Sequence, residues 1–151
     1  MTIGCRSGSN MKRLLLTFLS LTFLSFPVAG AAVASVFIEV DNSEQIMRVY
    51  IEDRLYYVWP VSTGRRGYRT PSGSYRPYAL KRDHHSSRYD APMPYSIFYR
   101  GGYAIHGTYS INRLGSPASH GCIRLHMANA RELFGIVRDF GADQTRIVIY
   151  P

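Results

Sequence analysis

Sulfur is scarce in this 151-residue chain: Cys5 and Cys122 are its two cysteines, so no disulfide framework can hold the fold together. The longest apolar run, Leu14 to Phe26, stops at thirteen residues, short of the roughly 20 that cross a bilayer as a helix. The five histidines, His84, His85, His106, His120 and His126, form no H-E-x-x-H or comparable spacing, which leaves a zinc hydrolase without support. No metal and no cofactor is therefore expected. Acidic residues are missing altogether between Asp90 and Glu132, and the chain has no internal repeat, low-complexity tract or nucleic-acid motif.

The first 34 residues have the organisation of a secretory signal peptide. Lys12 and Arg13 precede the apolar run, Pro27 follows it, and Ala29-Gly30-Ala31 and Ala32-Val33-Ala34 both supply small-residue cleavage patterns. Met11 stands just before the basic pair and is an alternative start. Residues 35–151 are then expected to be one exported domain of the periplasm or cell wall, with no membrane span after cleavage. Cys5 would leave with the signal, so Cys122 would remain as an unpaired thiol. In an oxidising compartment such a thiol calls for a chemical explanation more than for a packing one. The formal charge of +8 reflects eighteen basic and ten acidic side chains, and losing Arg6, Lys12 and Arg13 leaves fifteen against ten. Fourteen of those fifteen are arginine, accompanied by twelve tyrosines, a mixture that suits an anionic partner. Export favours an acidic wall polymer over nucleic acid, and a monomer is expected.

Val36 to Val40 and Ile46 to Ile51 are rich in β-branched and aromatic residues and flank a polar turn, which predicts a hairpin. Leu55 to Val61 predicts a third strand, in which Pro60 marks an edge or a bulge. Gly64, Gly67, Pro71 and Gly73 make residues 62–74 loop-like. A strand follows around Tyr75–Leu80, and then Lys81 to Arg88, polar and without periodicity, suggests a flap. Ser96–Tyr99 and Tyr103–His106 predict a second hairpin around Gly101-Gly102, residues 107–119 read as loop, and Ile123–Leu125 reads as a short strand. Ala130, Leu133, Phe134 and Val137 recur at helical spacing, which predicts a helix over residues 128–140 that stops at Gly141. Arg146–Tyr150 predicts the closing strand. The fold class that results is mainly β with one substantial helix.

The chemistry concentrates in Ser119-His120-Gly121-Cys122-Ile123-Arg124, with Ile105-His106-Gly107 sixteen residues upstream. A thiol attacks carbonyl carbon as thiolate and, with an ordinary pKa of about 8.5, needs a base beside it. His120 lies two residues from Cys122 across a glycine turn, where side chains often point apart. His106 comes from a separate strand and is the better candidate base. With no carboxylate nearby in sequence, a backbone carbonyl near Gly107 is expected to orient the imidazole. The Gly121 and Cys122 amides offer an oxyanion site, and Arg124, on the same strand face as Cys122, can grip a carboxylate bidentately.

These residues closely resemble the signature of the L,D-transpeptidase catalytic domain, the YkuD-type family. Val61-Ser62-Thr63-Gly64, Thr70-Pro71-Ser72-Gly73, Met93-Pro94-Tyr95 and Gly115 extend the likeness over nearly the whole of residues 35–151. Two departures stand out: a twelve-residue loop between His106 and Ser119 that is shorter than in some members, and Arg124 where others carry asparagine. The resemblance implies a β-sandwich-like fold with one packed helix. It implies Cys122 as nucleophile, His106 as base, Gly107 as carbonyl orienter and the Gly121 and Cys122 amides as the oxyanion hole; Ser119, His120 and Arg124 complete the candidate oxyanion and substrate-binding set with Gly121. It further implies peptidoglycan stem tetrapeptides as substrates, a Cys thioester formed with loss of D-alanine, and carbapenems as covalent labels. The acyl acceptor could be a second stem peptide, an amine of an envelope protein, or water, the last giving an L,D-carboxypeptidase. A non-catalytic wall-binding module is the rival from another class, and the complete Cys/His pair counts against it.

Overall fold

The computed structural model describes residues 35–151 together with residues 1, 2 and 4, so the signal-peptide reading and Cys5 lie outside the described residues. The chain opens as an antiparallel meander of β1 (Val36–Asp41), β2 (Ile46–Ile51) and β3 (Arg54–Pro60). Alternation decides its faces, with Val36, Ile38, Val40, Met47 and Val49 buried and their neighbours turned outward. At the β1–β2 turn Asp41 Oδ1 accepts the N–H groups of Ser43 at 2.8 Å and Glu44 at 2.9 Å, an Asx-type turn. β9 (Thr145–Tyr150) lies parallel to β1, and β4 (Gly73–Tyr75) pairs with β9, giving the order β3-β2-β1-β9-β4. The strand that carries Pro60 is thus an edge, and a bulge falls in its pairing with β2.

The second sheet has the order β5-β6-β7-β8, from β5 (Ala79–Ser86), β6 (Ala91–Arg100), β7 (Tyr103–Thr108) and β8 (Ile123–His126). β7 and β8 are parallel and the other pairs antiparallel. Helix α1 (Met127–Phe140) leaves β8 directly, its first turn capped by His126 Nδ1, which accepts the Ala128 N–H at 3.3 Å. α1 buries Ala130, Leu133 and Val137 against β6, β7 and β8, and Gly141 at φ 90° ends it. A single cluster joins Ile38, Val49 and Ile147 of the first sheet to Ile97, Ile105 and Leu125 of the second and to Leu133 of the helix. The architecture is mainly β with one substantial helix, as the strand pattern predicts.

Three local expectations change. The strand expected over Tyr75–Leu80 is split, with Tyr75 ending β4 and Ala79 starting β5. Lys81 to Ser86, expected as flap, is regular strand, paired with β6 out to Ser86↔Ala91, and the turn itself is confined to residues 87–90. β5 is an edge strand exposed for much of its length, held by its ladder rather than by apolar burial, so it carries no hydrophobic alternation. β7 continues through Gly107 to Thr108, because its pairing with β8 reaches Thr108↔His126.

Between the sheets, the segment after β3 is fastened by Gln45, a residue at φ 57° and 3% exposed. Its backbone carbonyl accepts the Val61 N–H at 2.8 Å, its Oε1 accepts the Thr63 N–H at 2.9 Å, and its Nε2 donates to Thr63 Oγ1 and to Asn42 O at 2.6 Å each. Replacing Gln45 by Ala strands a buried N–H and a buried hydroxyl, and the expected loss is about 2–3 kcal/mol of unfolding free energy by urea titration. A loss below about 0.5 kcal/mol would show that the fastening does not depend on this side chain.

Candidate active site

β7 and β8 run in parallel with His106 paired to Arg124 and Ile105 to Ile123. Cys122 immediately precedes β8, so alternation puts it on the same face as Arg124 and His106, while Ile123 and Leu125 turn into the core. Cys122, His106, Arg124 and His120 line one cavity of about 260 Å³, walled further by Met93 and Tyr89. A second cavity of about 290 Å³ meets Cys122 from the side of Gly102 and Tyr103 and shares Tyr89, Met93 and His120 with the first. Met93 lines both; just after it Tyr95 takes a φ of 56°, and Ser96 Oγ donates back to Met93 O at 2.7 Å.

His106 is 5% exposed, and its Nδ1 lies 2.8 Å from Gly107 O. A carbonyl only accepts, so Nδ1 carries the proton and Nε2 is left with its lone pair. Gly107 itself is closely packed against α1: a Cβ there would stand 2.9 Å from Met127 Sδ and 3.4 Å from Ala130 Cβ. Burial lowers the pKa of His106 to about 4, opposed by the Gly107 bond and assisted by Arg124 and His84. Burial pushes the half-buried Cys122 thiol up, with a backbone hydrogen bond at Ala104 and the Arg124 charge pulling the other way. The resting pair is therefore a neutral thiol and a neutral imidazole. A thiolate formed in advance by the imidazole, the simpler expectation from sequence, is disfavoured because both groups lose water on folding.

The turn before Cys122 is held from three sides. Ser119 is fully buried, donating through Oγ to Cys122 O at 2.6 Å and accepting the Gly121 N–H at 2.9 Å. Gly121 sits at φ 111°, where a Cβ would fall 2.5 Å from Tyr103 Cε1, and its carbonyl accepts Thr70 Oγ1 at 2.8 Å. Thr70 Oγ1 in turn accepts the Gly64 N–H at 2.8 Å. On the open side of β8, Ser62 exchanges backbone bonds with Arg124 at 2.9 and 3.0 Å. Ser119 and Gly121, expected in the oxyanion and substrate-binding set, do not line the cavity. The hydroxyl of one occupies the amide of the other, so in this geometry both order the turn.

His120 lines both cavities with its ring engaged by other side chains. Arg65 donates to its Nε2 at 2.8 Å, Tyr89 stacks on it at 4.4 Å and 12°, and Tyr68 meets it edge-on at 4.7 Å. Burial, Arg65 and Arg124 lower its pKa. Among the described residues no group of three or more His, Cys, Asp or Glu side chains is placed to hold a metal ion.

Residues 35–149 match the family of the L,D-transpeptidase catalytic domain, YkuD. The chain belongs to that family. A curated relative from Bacillus licheniformis, named "Putative L,D-transpeptidase YkuD", is 29% identical over 118 residues, which is 76% of this chain and 65% of the relative. An L,D-transpeptidase from Mycobacterium smegmatis superposes with a TM-score of 0.71 at 22% identity, over 78% of this chain and 59% of that one. The structure of the L,D-transpeptidase LdtMt1 in complex with imipenem has a TM-score of 0.69 at 23% identity, over 78% and 59%. The chain thus spans about two thirds or less of the length of these relatives.

Sequence reading did not single out Thr70, Gln45, Arg65, Tyr68 or Tyr89 for the site. Thr70 lies in one of the stretches that carry the family likeness; the others left no signal, because their partners are 18 to 55 residues away.

The low pKa of His106 links its burial to stability. The unfolded chain takes up this proton near pH 6.5 and the native chain near pH 4, so between those values the unfolded state binds more protons and stability falls as pH drops. Urea titrations should show up to about 1.4 kcal/mol lost per pH unit across that window beyond any loss in His106→Gln. Identical slopes for the two proteins would contradict a buried neutral His106.

Proposed function

We propose that this chain is an exported L,D-transpeptidase whose nucleophile is Cys122 and whose base is His106. The observation that carries the reading is the placement of a thiol and a neutral, Nδ1-protonated imidazole on one face of the β7–β8 pair, with Arg124 beside them. In the reaction, His106 Nε2 takes the thiol proton as Cys122 Sγ attacks the carbonyl of the third residue of a stem tetrapeptide. Arg124 holds the terminal carboxylate of the donor. With the Gly121 amide engaged by Ser119, the Cys122 amide is the donor left of that pair to meet the oxyanion. The tetrahedral intermediate collapses, His106 returns the proton to the leaving D-alanine, and a thioester remains. An amine then attacks the thioester, His106 accepts its proton, and the new amide forms as the thiol is restored. Two cavities that meet at Cys122 support a donor and an acceptor approaching from different sides. A stem-peptide amine as acceptor gives a 3–3 cross-link, and a protein amine tethers an envelope protein. Export rests on the basic and apolar character of residues 12–34.

The test is mass spectrometry of a disaccharide tetrapeptide incubated with the protein without added metal. A cross-linked dimer with loss of D-alanine is expected; a tripeptide alone would reassign the chain as an L,D-carboxypeptidase, and no change would end the enzyme reading. Imipenem, bound by a solved protein of this fold, serves as a covalent probe. One adduct per chain is expected, absent in Cys122→Ala and slowed roughly 10²- to 10⁴-fold in His106→Ala.

The protonation states make a separate prediction. With neutral His106 as base, acylation rates should vary little between about pH 5 and 8 and fall only as pH approaches 4. A tenfold rise per pH unit through that range would show instead that the rate follows a small population of free thiolate.

A further inference from the structure

Beside the catalytic cavity lies a further cleft, also of about 290 Å³, lined by three arginines, Arg65, Arg113 and Arg124. The two spaces adjoin at Arg124 and Ser110, which line both. The ion pairs among the described residues are Arg48 with Glu39 and Glu44, His85 with Asp90, and Arg138 with Asp139, so none of the three arginines of the cleft is neutralised by a carboxylate. Three cations around one small cleft repel one another by an amount that grows as water is displaced, and Arg124 is already half-buried.

Arg65 is held through its side chain and Arg113 through its backbone. Arg65 takes its backbone position from its N–H to Ser119 O at 3.0 Å, and its guanidinium lies 4.7 Å over the Tyr68 ring and donates to His120. Arg113 ends the 3-10 turn Ile111–Arg113, where its N–H reaches Ser110 O at 3.1 Å and its carbonyl accepts Ser116 Oγ at 3.0 Å. Neither arrangement supplies negative charge, and a planar guanidinium is shaped to receive a carboxylate through two parallel N–H bonds. Arg124 has one carboxylate to hold in the catalytic cavity, which leaves Arg65 and Arg113 facing the cleft with donors unused.

We infer that the Arg65–Arg113 side of this cleft is a subsite for a second carboxylate on the acyl-donor peptide, so that the chain selects donors that are acidic at two places. The inference rests on the peptide-donor reading above and adds to it a specificity determinant. A stem peptide offers two such groups besides its terminal carboxylate: one on the second residue and one on the side chain of a diacid third residue. Their chemistry is the same, so amidating each in turn assigns the source.

The experiment measures binding to Cys122→Ala, which cannot be acylated, by calorimetry with three disaccharide tetrapeptides. One is fully acidic, one carries a carboxamide at the second residue, and one carries it on the third-residue side chain. The acidic peptide should bind about 10-fold more tightly than one of the two amides, with the preference shrinking as salt is raised. Adding Arg113→Gln should bring the ratio to within about twofold, and Arg113→Lys should restore part of it. A merely structural effect of Arg113 would weaken all three ligands alike and leave the ratio. Equal affinity for the three peptides, no binding of any, or a preference that survives Arg113→Gln would overturn the subsite. Turnover by the native chain is scored separately: a preference without turnover keeps the subsite and removes the transpeptidase reading, and turnover without a preference does the reverse.

Discussion

The pairing of β8 on both of its edges is the constraint on which the rest of the site depends. Four residues make a weak strand by themselves, yet β8 is bonded to β7 through the Ile105↔Ile123 register and to Ser62 through the backbone of Arg124. Those two sets of bonds determine which side chains share a face. A slip of one residue would exchange Cys122 and Arg124 for Ile123 and Leu125, expose two fully buried apolar residues, and dissolve the site together with the core. Stability and chemistry are therefore specified by one register, and the core residues of β8 guard the position of the reactive ones.

The same economy runs through the turn that delivers Cys122. Ser119, Gly121, Thr70 and Gly64 form a chain of hydrogen bonds between two loops, and each polar group in it satisfies another that is buried. Gln45 extends the network to the first sheet through Thr63. A turn held this tightly needs little reorganisation when a substrate arrives, which is the condition under which a backbone amide beside the sulfur is useful to a developing oxyanion. Loops in most proteins are the mobile parts, and here side chains cross-link the loops around the thiol.

Charge around the site is arranged with equal economy. Among the described residues no carboxylate lines the cavity with His106, so its orientation is left to the Gly107 carbonyl and its charge state to burial. The cations Arg65, Arg113 and Arg124 are gathered on one side without an acidic partner among the described residues, which keeps a positive field on that side of the cavity.

Much of this was legible in the residue order. Val36, Ile38 and Val40 alternate, Ala130, Leu133 and Val137 recur at helical spacing, and both patterns are local, so strands and helix could be assigned without knowing their neighbours. Cys122 and His106 stood out because a scarce thiol and an imidazole each sit in a short motif beside a glycine, which is a conformational signal. β5 was misjudged for the opposite reason: an edge strand stabilised by its ladder leaves no apolar period to read. Protonation states were also out of reach, since the low pKa of His106 and the raised one of Cys122 arise from water excluded by residues distant in the chain. Whether the Gly121 amide is free or occupied depends on a Ser119 hydroxyl whose direction only the folded turn sets. Residue order by itself determined most of the elements and the family and nominated Cys122 and His106, because these are written in local pattern and side-chain chemistry. Tertiary structure decided their charge states, the fate of the amides and the convergence of the arginines, because desolvation and hydrogen-bond partnership belong to the packed chain.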